Sequence, residues 1–198
     1  MILIFSSIYK LNLEAKVLNG FERLSEALKS LLWEKAKVHG ISPIQIQLLV
    51  FISNHKIDIC NVSYMAKEFN VTKATISDAV RVLIKKEYLE KDFSPNDNRR
   101  YNLFLTESGS ELVKDISNYA NPVYNQLKLF SDTELNGAFD VISKLIYKLN
   151  QENIIQVQRT CYNCKFYKGD LNSTHYCNLL EKELKNQDIR LDCKDFES

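Results

Sequence analysis

The chain has 198 residues, of which 45% are hydrophobic and 26% are charged, and its formal net charge is +1. These values suit a globular protein with one ordinary domain and a small appendage, and they exclude a disordered or low-complexity chain. The near-neutral charge means that any surface for a polyanion must be local. The low content of glycine and proline, five and three residues, favours long helices over a β-sandwich.

The N-terminal run 1–8 is apolar, but no basic residue precedes it and it is too short for the core of a signal peptide. No later stretch is long and apolar enough to span a membrane. We therefore expect no membrane association and a cytoplasmic, reducing location. In such a location cysteines are more often metal ligands than disulfide partners.

Apolar residues recur at helical spacing over 13–38, and Gly40 ends this first helix. A second helix begins at Ser42 and Pro43, with Gln45 placed to complete a capping box. Its residues are nearly all apolar, so we predict that it lies at the centre of the core.

The next segments change from helical to extended patterns. A short third helix is predicted over 63–69 and a fourth over 72–86, each with apolar residues on one face. Alternating runs at 88–93 and 100–105 flank the polar, turn-rich tip 94–98. The sequence thus predicts a helix–turn–helix followed by a β-hairpin.

Two further helices are predicted after the hairpin. Thr106 is placed to cap a long fifth helix that is interrupted or bent near Asn121 and Pro122. A capping box at 131–134 opens a sixth helix, which continues to about Gln151. The fold class is therefore mainly α with a small β-hairpin, and regular periodicity fades after this helix.

This order of elements is that of a winged helix–turn–helix. The second helix of such a pair enters the major groove of DNA and offers its N-terminal residues to base edges. Hydroxyls there can approach bases and phosphates closely, and cationic side chains supply charge. The candidate DNA-binding residues of the fourth helix are Thr72, Lys73, Thr75, Ser77 and Arg81.

The hairpin tip carries Asp97, Arg99 and Arg100, which suit a wing that lays guanidinium groups along phosphates or in the minor groove. Residues 62–100 contain eight basic and six acidic side chains, a modest excess. A capping threonine or a polar turn alone is usually structural. The order of these features along the chain is what favours DNA binding.

Four segments together resemble the multiple-antibiotic-resistance regulator (MarR) family: Gly40–Gln45, Val71–Ser77, Asp97–Arg100 and Leu105–Gly109. The resemblance covers roughly residues 13–150. It implies a homodimeric winged-helix transcription factor whose first and last long helices form the dimer interface. It also implies a pseudo-palindromic operator in double-stranded DNA, repression, and release by a small-molecule effector.

The resemblance implies specific DNA contacts. The matching positions in the recognition helix and the wing are Lys73, Thr75, Ser77, Asp97 and Arg99. Asp78 departs from the family pattern, since an arginine is common at this position. A carboxylate there cannot bind phosphate. We assign residues 1–152 to this winged-helix and dimerisation domain, with a DNA-binding core at about 41–106.

The segment 158–198 lies outside the resemblance and contains the spacing Cys161-x2-Cys164-x12-Cys177-x15-Cys193. This spacing predicts one four-thiolate metal site, because the Cys-x-x-Cys pair and two single cysteines can complete a tetrahedron. Zinc is predicted as the metal, and an iron–sulfur cluster is the alternative. His175 is a spare ligand near Cys177. Four unrelated thiols and two disulfides are less favoured.

The other features of the tail favour a structural or protein-contact role. From residue 158 onward seven basic residues oppose seven acidic ones, which makes a poor second DNA surface. We expect the aromatic residues around the cysteines to pack about the metal site. The fifth cysteine, Cys60, is predicted to be a small buried hydrophobic residue rather than a sensor.

The sequence therefore predicts a sequence-specific DNA-binding regulator with a structural or sensory metal site. The alternative is a winged-helix dimer scaffold that binds a protein partner through the metal module rather than DNA. An enzyme is not expected, because the three histidines are scattered and the chain has no glycine-rich phosphate loop or nucleophile motif.

Overall fold

The computed structural model describes residues 12–94, 97–169 and 174–197. The backbone of Ser94 and of 97–100 is described as strand, but their side chains are not. The apolar N-terminal run lies outside the described residues. No helix in the described part of the chain is long and apolar enough to cross a membrane.

The architecture is a winged helix–turn–helix with long flanking helices and a small C-terminal sheet. The helices are α1 Leu13–His39, α2 Pro43–Asn54, α3 Val62–Glu68, α4 Lys73–Lys85, α5 Glu107–Ile116, α6 Asn121–Leu127 and α7 Asp132–Gln151. The hairpin consists of β1 Leu89–Ser94 and β2 Asp97–Leu105. The C-terminal strands are β3 Tyr167–Lys168, β4 His175–Cys177 and β5 Lys182–Leu184, in that order and antiparallel.

The helix termini follow the capping residues that the sequence predicts. The Gln45 side chain accepts a 2.8 Å hydrogen bond from the backbone N–H of Ser42. Glu134 accepts from the backbone N–H and the hydroxyl of Ser131. Gly40 ends α1 in the left-handed region at φ 59°, where glycine adopts the conformation without a Cβ penalty.

Helix α2 lies at the centre of the core, as predicted. Its Ile46, Leu48 and Leu49 are completely buried. They pack with fully buried side chains from α3, α4, the hairpin and α5, which are Met65, Ile76, Leu83, Leu89, Leu103 and Ile116. The winged helix therefore has a continuous core of its own, and most of its stability comes from burying this apolar surface.

The predicted interruption of the fifth helix near Asn121 and Pro122 is confirmed, and it divides that helix into two separate helices. Helix α5 ends at Ile116, and α6 begins at Asn121 after four intervening residues. Pro122 in the first turn of α6 explains the break, since in a continuous helix proline could not donate to the carbonyl of Asn118 and its ring would clash with that carbonyl. The second strand also begins at Asp97, earlier than the predicted start at residue 100.

The start of α5 is tied closely to the end of α4. The hydroxyls of Thr106 and Ser108 each donate a 2.6 Å hydrogen bond to the carbonyl of Glu87. Gly109 lies so close to this turn that a Cβ atom on it would be 2.1 Å from the carbonyl oxygen of Tyr88. This junction gives a physical reason for the Leu-Thr-Glu-Ser-Gly run that follows the wing.

Helices α1 and α7 are poorly buried within a single chain. Only three residues of α1 and one of α7 are buried. Exposed large apolar side chains on α1 are Leu13, Val17, Leu18, Leu24, Leu28, Trp33 and Val38, and on α6, α7 and the loop between them they are Tyr124, Leu127, Leu129, Phe130, Val141, Ile142 and Leu145. An exposed apolar surface of this extent indicates that a partner covers it.

Candidate nucleic-acid interface and cysteine module

The predicted recognition helix, α4, is amphipathic in the way that DNA contact requires. Its buried face is formed by Ile76, Ala79, Val80 and Leu83. The five predicted DNA-binding residues of this helix and its N-cap are all exposed: Thr72, Lys73, Thr75, Ser77 and Arg81. The helix is thus anchored by one side while its polar N-terminal turns face outward.

The two threonines at the start of α4 differ in their roles. The Thr72 side chain accepts a 3.1 Å hydrogen bond from the backbone N–H of Thr75, which caps the helix. The hydroxyls of the two residues also lie 2.9 Å apart. Thr72 therefore holds the helix start in place, whereas the Thr75 hydroxyl has no backbone group to satisfy and is available to a ligand.

Asp78 forms an ion pair with Arg81 one turn further along α4. Both side chains are mostly exposed, so the pair contributes little to stability and can be exchanged for another partner. In the free protein the carboxylate nevertheless offsets the positive charge that Arg81 offers to DNA. Where an arginine is common in the MarR family, this chain thus has a carboxylate that pairs with its own Arg81.

A groove of about 370 Å³ separates α4 from the hairpin. Ser77 and Arg81 line it from the helix, and Lys91 and Tyr101 line it from the strands. The Lys91 ammonium lies 4.2 Å from the centre of the Tyr101 ring, in a cation–π contact. The side chains of the predicted wing residues Asp97, Arg99 and Arg100 lie outside the described residues, although β2 includes their backbone.

The four tail cysteines surround one small cavity. Cys161, Cys164, Cys177 and Cys193 all line a cavity of about 30 Å³, which is large enough for one water or ion. No disulfide joins them. Among the described residues, however, no group of three or more His, Cys, Asp or Glu side chains is set to hold a metal ion. The thiols thus share a cavity without forming a ready-made coordination sphere.

Positive charge and amide donors are directed at these sulfurs. The backbone N–H of Arg190 donates to Cys161 Sγ at 3.3 Å, and its guanidinium Nη1 lies 3.5 Å from Cys193 Sγ. Burial raises the pKa of the Cys161 thiol, the Arg190 amide lowers it, and charge on the other three cysteines raises it further. The mutual repulsion of four thiolates is what a bound cation relieves.

The winged helix is the part of the chain that matches a known protein family. Residues 39–100 match the model of the MarR family. This segment is thus similar to the winged helix of the MarR family. The HTH-type transcriptional regulator BilQ of Clostridioides difficile (strain CD3) is 34% identical over 87 residues, which are 43% of this chain and 57% of BilQ. The matched segment therefore spans little more than half of that regulator's length.

Solved structures share the fold of the winged helix and its flanking helices. A DNA complex of MepR from S. aureus superposes with a TM-score of 0.59 at 23% identity, over 71% of this chain and all of that one. MarR of S. aureus in complex with salicylate and kanamycin gives 0.62 at 19% identity, over 71% and 94% of the two chains. MarR-family regulators are non-enzymatic DNA-binding proteins, and the match of residues 39–100 to their model agrees with the expectation that no enzyme is encoded.

The MarR-family match ends at residue 100, so the cysteine module lies well beyond it. Within the module, His175 is not among the residues that line the cavity. Its Nδ1 lies 2.5 Å from the hydroxyl of Tyr167, and its ring packs among Tyr162 and Tyr167. The structure thus gives His175 an aromatic environment rather than the role of a spare ligand. Of the five tail aromatics expected to pack about the site, Phe166 and Tyr167 line the cavity, whereas Tyr162, Tyr176 and Phe196 do not.

Sequence reasoning missed Arg159, which joins the module to the winged helix. Its guanidinium is only 8% exposed. It donates to the Glu68 carboxylate at 2.7 and 3.2 Å, to the Tyr64 hydroxyl at 2.9 Å and to Asp192 at 2.6 Å. No sequence motif predicts this cluster, because its members lie far apart in the chain and meet only when it folds. The most distant pair, Tyr64 and Asp192, is separated by 128 positions.

The fifth cysteine has the environment that the sequence predicts. Cys60 is 1% exposed and belongs to the core of the winged helix. Burial, together with the nearby charge of Asp58, raises the pKa of its thiol to about 11. A thiol with such a pKa is almost entirely protonated at neutral pH and is a poor nucleophile.

Proposed function

We propose that this protein is a sequence-specific DNA-binding transcriptional regulator. The observation that carries the proposal is the outward-facing N-terminal part of α4, with Thr75 and Ser77 exposed, within a winged helix that matches the MarR family over residues 39–100. The partner is double-stranded DNA. In this arrangement α4 enters the major groove and the hairpin contacts the adjacent backbone or minor groove.

The relatives support the finer parts of this proposal. MepR of the same fold has been solved with DNA, and MarR of S. aureus with salicylate. We infer that this chain also recognises a pseudo-palindromic operator and responds to a small-molecule effector. Its action as a repressor rests on the resemblance to the family.

The first test concerns the wing. Arg99→Ala should weaken binding to most DNA sequences about equally and should reduce the slope of log affinity against log salt by about 1, since one phosphate contact is lost. Fluorescence anisotropy at several salt concentrations measures both effects. The probe is a duplex selected from a random pool by the wild-type protein.

Thr75→Val is the matched contrast to this variant. It removes a groove-facing hydroxyl without changing charge, so it should alter the preferred sequence and leave the salt slope unchanged. An Arg99→Ala protein with wild-type affinity and salt slope would show that the wing does not contact DNA. Failure of the wild-type protein to enrich any sequence would remove the function itself.

We propose that the regulator is a homodimer formed through α1, α6 and α7. The exposed apolar side chains on these helices, including Val17, Leu24 and Leu28 at helical spacing on α1, support this arrangement. Burying them against a second copy removes them from water at about 25 cal/mol per Å². A two-fold axis there also places two α4 helices for successive major grooves.

Sedimentation equilibrium at micromolar concentration tests the dimer. We expect twice the chain mass of 23.0 kDa. Replacing Leu24 and Leu28 together with glutamate should shift the protein to the monomer, because two charges enter the apolar surface. A wild-type monomer at this concentration would contradict the proposal.

We propose further that Cys161, Cys164, Cys177 and Cys193 bind one metal centre, with zinc as the preferred metal. Their common cavity supports this proposal, as does the Arg190 guanidinium, which offsets the net charge of about −2 of a divalent ion with four thiolates. The three strands of the module are only two or three residues long. A sheet this small is not stable through its own packing, so a cross-link such as a bound metal ion is needed to hold it together. An iron–sulfur cluster is the alternative, because it uses the same ligands.

The second candidate function is a dimeric scaffold that binds a protein partner through the module. Leu179 and Leu180 favour it, because they line the cysteine cavity and are 47% and 46% exposed. The DNA selection described above separates the two functions. Enrichment of a sequence supports the regulator, and its absence in a dimeric, metal-containing protein favours the scaffold.

A further inference from the structure

An ionic cluster around the buried Arg159 side chain attaches the cysteine module to the helix–turn–helix. Arg159 and Asp192 belong to the module, and they flank its ligand positions: Arg159 is two residues before Cys161, and Asp192 directly precedes Cys193. Their partners Tyr64 and Glu68 lie on α3, and His55 lies at the end of α2. We call these five residues the Arg159 clamp.

The backbone of the clamp is fixed by the same segments that carry the cysteines. The N–H of Cys193 donates to the carbonyl of Arg159 at 3.0 Å, and Arg159 forms a parallel bridge with Asp192. The N–H of Cys161 donates to the carbonyl of Arg190, also at 3.0 Å. The two chain segments that carry Cys161 and Cys193 are therefore hydrogen-bonded to each other, and together they position Arg159 and Asp192.

The side chains of the clamp bind the supporting helices from two directions. Arg159 holds Glu68 with two hydrogen bonds, and its guanidinium lies 5.4 Å from the centre of the Phe51 ring. Asp192 uses one oxygen for Arg159 and the other, at 2.9 Å, for Nε2 of His55. The His55 ring stacks on Phe51 at 3.9 Å. The buried Arg159 guanidinium depends on these partners, because an unpaired charge in its position would be costly.

Helix α3 is the element whose position this cluster controls. It has only seven residues, too few to be stable without tertiary contacts. It precedes α4 by a four-residue turn, and in helix–turn–helix proteins this first helix crosses the DNA backbone. Without Arg159, the Glu68 carboxylate would lie unpaired on that helix and would repel phosphate.

We propose that the Arg159 clamp makes DNA affinity depend on the state of the cysteine module, so that the module senses its metal rather than only stabilising the chain. The inference rests on the proposed function in both its DNA-binding and its metal-binding parts. The loaded module holds α3 in the DNA-binding arrangement. Loss of the metal releases Arg159 and Asp192, α3 loosens, and the protein leaves DNA.

The test is a cycle of two changes, metal removal and Arg159→Gln, on the full-length protein. Metal removal should lower the affinity of the wild type for its selected duplex about ten-fold, within the usual range of coupling between sites. Arg159→Gln should cause a similar loss while it keeps the wild-type metal content. Metal removal should then weaken the variant no further, because the connection is already broken.

Two more variants keep the test decisive. Asp192→Asn removes only the contribution of one carboxylate and should give a smaller loss in the same direction, which covers the case in which Arg159→Gln disturbs folding. Lys56→Ala is the matched control. It breaks the exposed contact of 3.9 Å between Lys56 and Asp195 that joins the same two parts, and it should leave affinity and metal response unchanged.

Hydrogen exchange of α3 provides a readout that does not depend on DNA. Metal removal and Arg159→Gln should each speed amide exchange across Val62–Glu68 relative to α2. The same exchange response in a protein that selects no DNA would refute the proposed function but keep the coupling. Equal affinity with and without metal, or an equal metal response in wild type and Arg159→Gln, would overturn the coupling.

Discussion

Gly109→Ala should lower the free energy of unfolding by about 3 kcal/mol, at the upper end of the cost of overpacking a tight site. A Cβ at this position would lie 2.1 Å from the Tyr88 carbonyl oxygen and 3.0 Å from its carbon. Both atoms belong to backbone, so no side chain can rotate to make room. Either α5 moves away from the turn after α4, or the hydrogen bonds of Thr106 and Ser108 to Glu87 break.

Chemical denaturation measures this effect, and Gly137→Ala is its control. Gly137 lies inside α7, and in the described part of the chain no heavy atom beyond its own helical turn lies within 4 Å of the Cβ that alanine would add. Alanine there should be neutral or stabilising by up to about 1 kcal/mol, because it favours the helix over the unfolded chain. If both variants unfolded at the wild-type denaturant concentration, the close approach of Gly109 to Tyr88 would be refuted.

The stability effect also has a consequence for DNA binding. The junction at Gly109 joins the end of α4, the start of the hairpin and the start of α5, so it sets the angle between recognition helix and wing. A displaced α5 would therefore change both DNA-contacting elements together. We expect Gly109→Ala to lose DNA affinity at temperatures at which its far-UV circular dichroism remains that of the wild type.

Most helices and strands of the winged helix could be predicted from local signals in the sequence. Capping at Ser42 and Thr72 depends on residues within one turn, so a helix start can be predicted from a few neighbouring positions. The β-hairpin was recognisable from alternation of apolar and polar residues. Its second strand is longer than predicted because pairing with β1 continues to Ser94 opposite Asp97, where the register shifts. Pairing of this kind depends on the partner strand rather than on local preference.

Long-range features were predicted less well. The spacing of the cysteines predicted that they would come together, and they do line one cavity. The connection of that module to the winged helix could not be predicted, because Arg159, Glu68 and Asp192 carry no pattern in sequence. A buried arginine with two carboxylates is stable only in the complete arrangement. Such a cluster becomes visible only when distant segments are placed in space.

Removal of the metal should abolish the fold of the module while the winged helix remains folded. Structural zinc sites in small peptides contribute about 10–16 kcal/mol at neutral pH. Among the described residues of this module, Leu184 and Ile189 are the buried hydrophobic ones. The winged helix has a separate core around α2. We therefore expect chelation, or Cys164→Ser, to make the chain after α7 sensitive to protease and to leave residues 12–151 protected.

Elemental analysis of protein purified without oxygen must accompany this experiment. One zinc per chain in a colourless protein supports the zinc site, and Cys164→Ser should lose that zinc. Cys60→Ala is the matched control, since Cys60 lies in the core of the winged helix and not at the cavity, so it should retain full zinc. Iron and sulfide in a brown protein would assign the same four cysteines to a cluster. A tail that resists protease equally with and without metal would refute both versions, because the module would then be stable on its own buried surface.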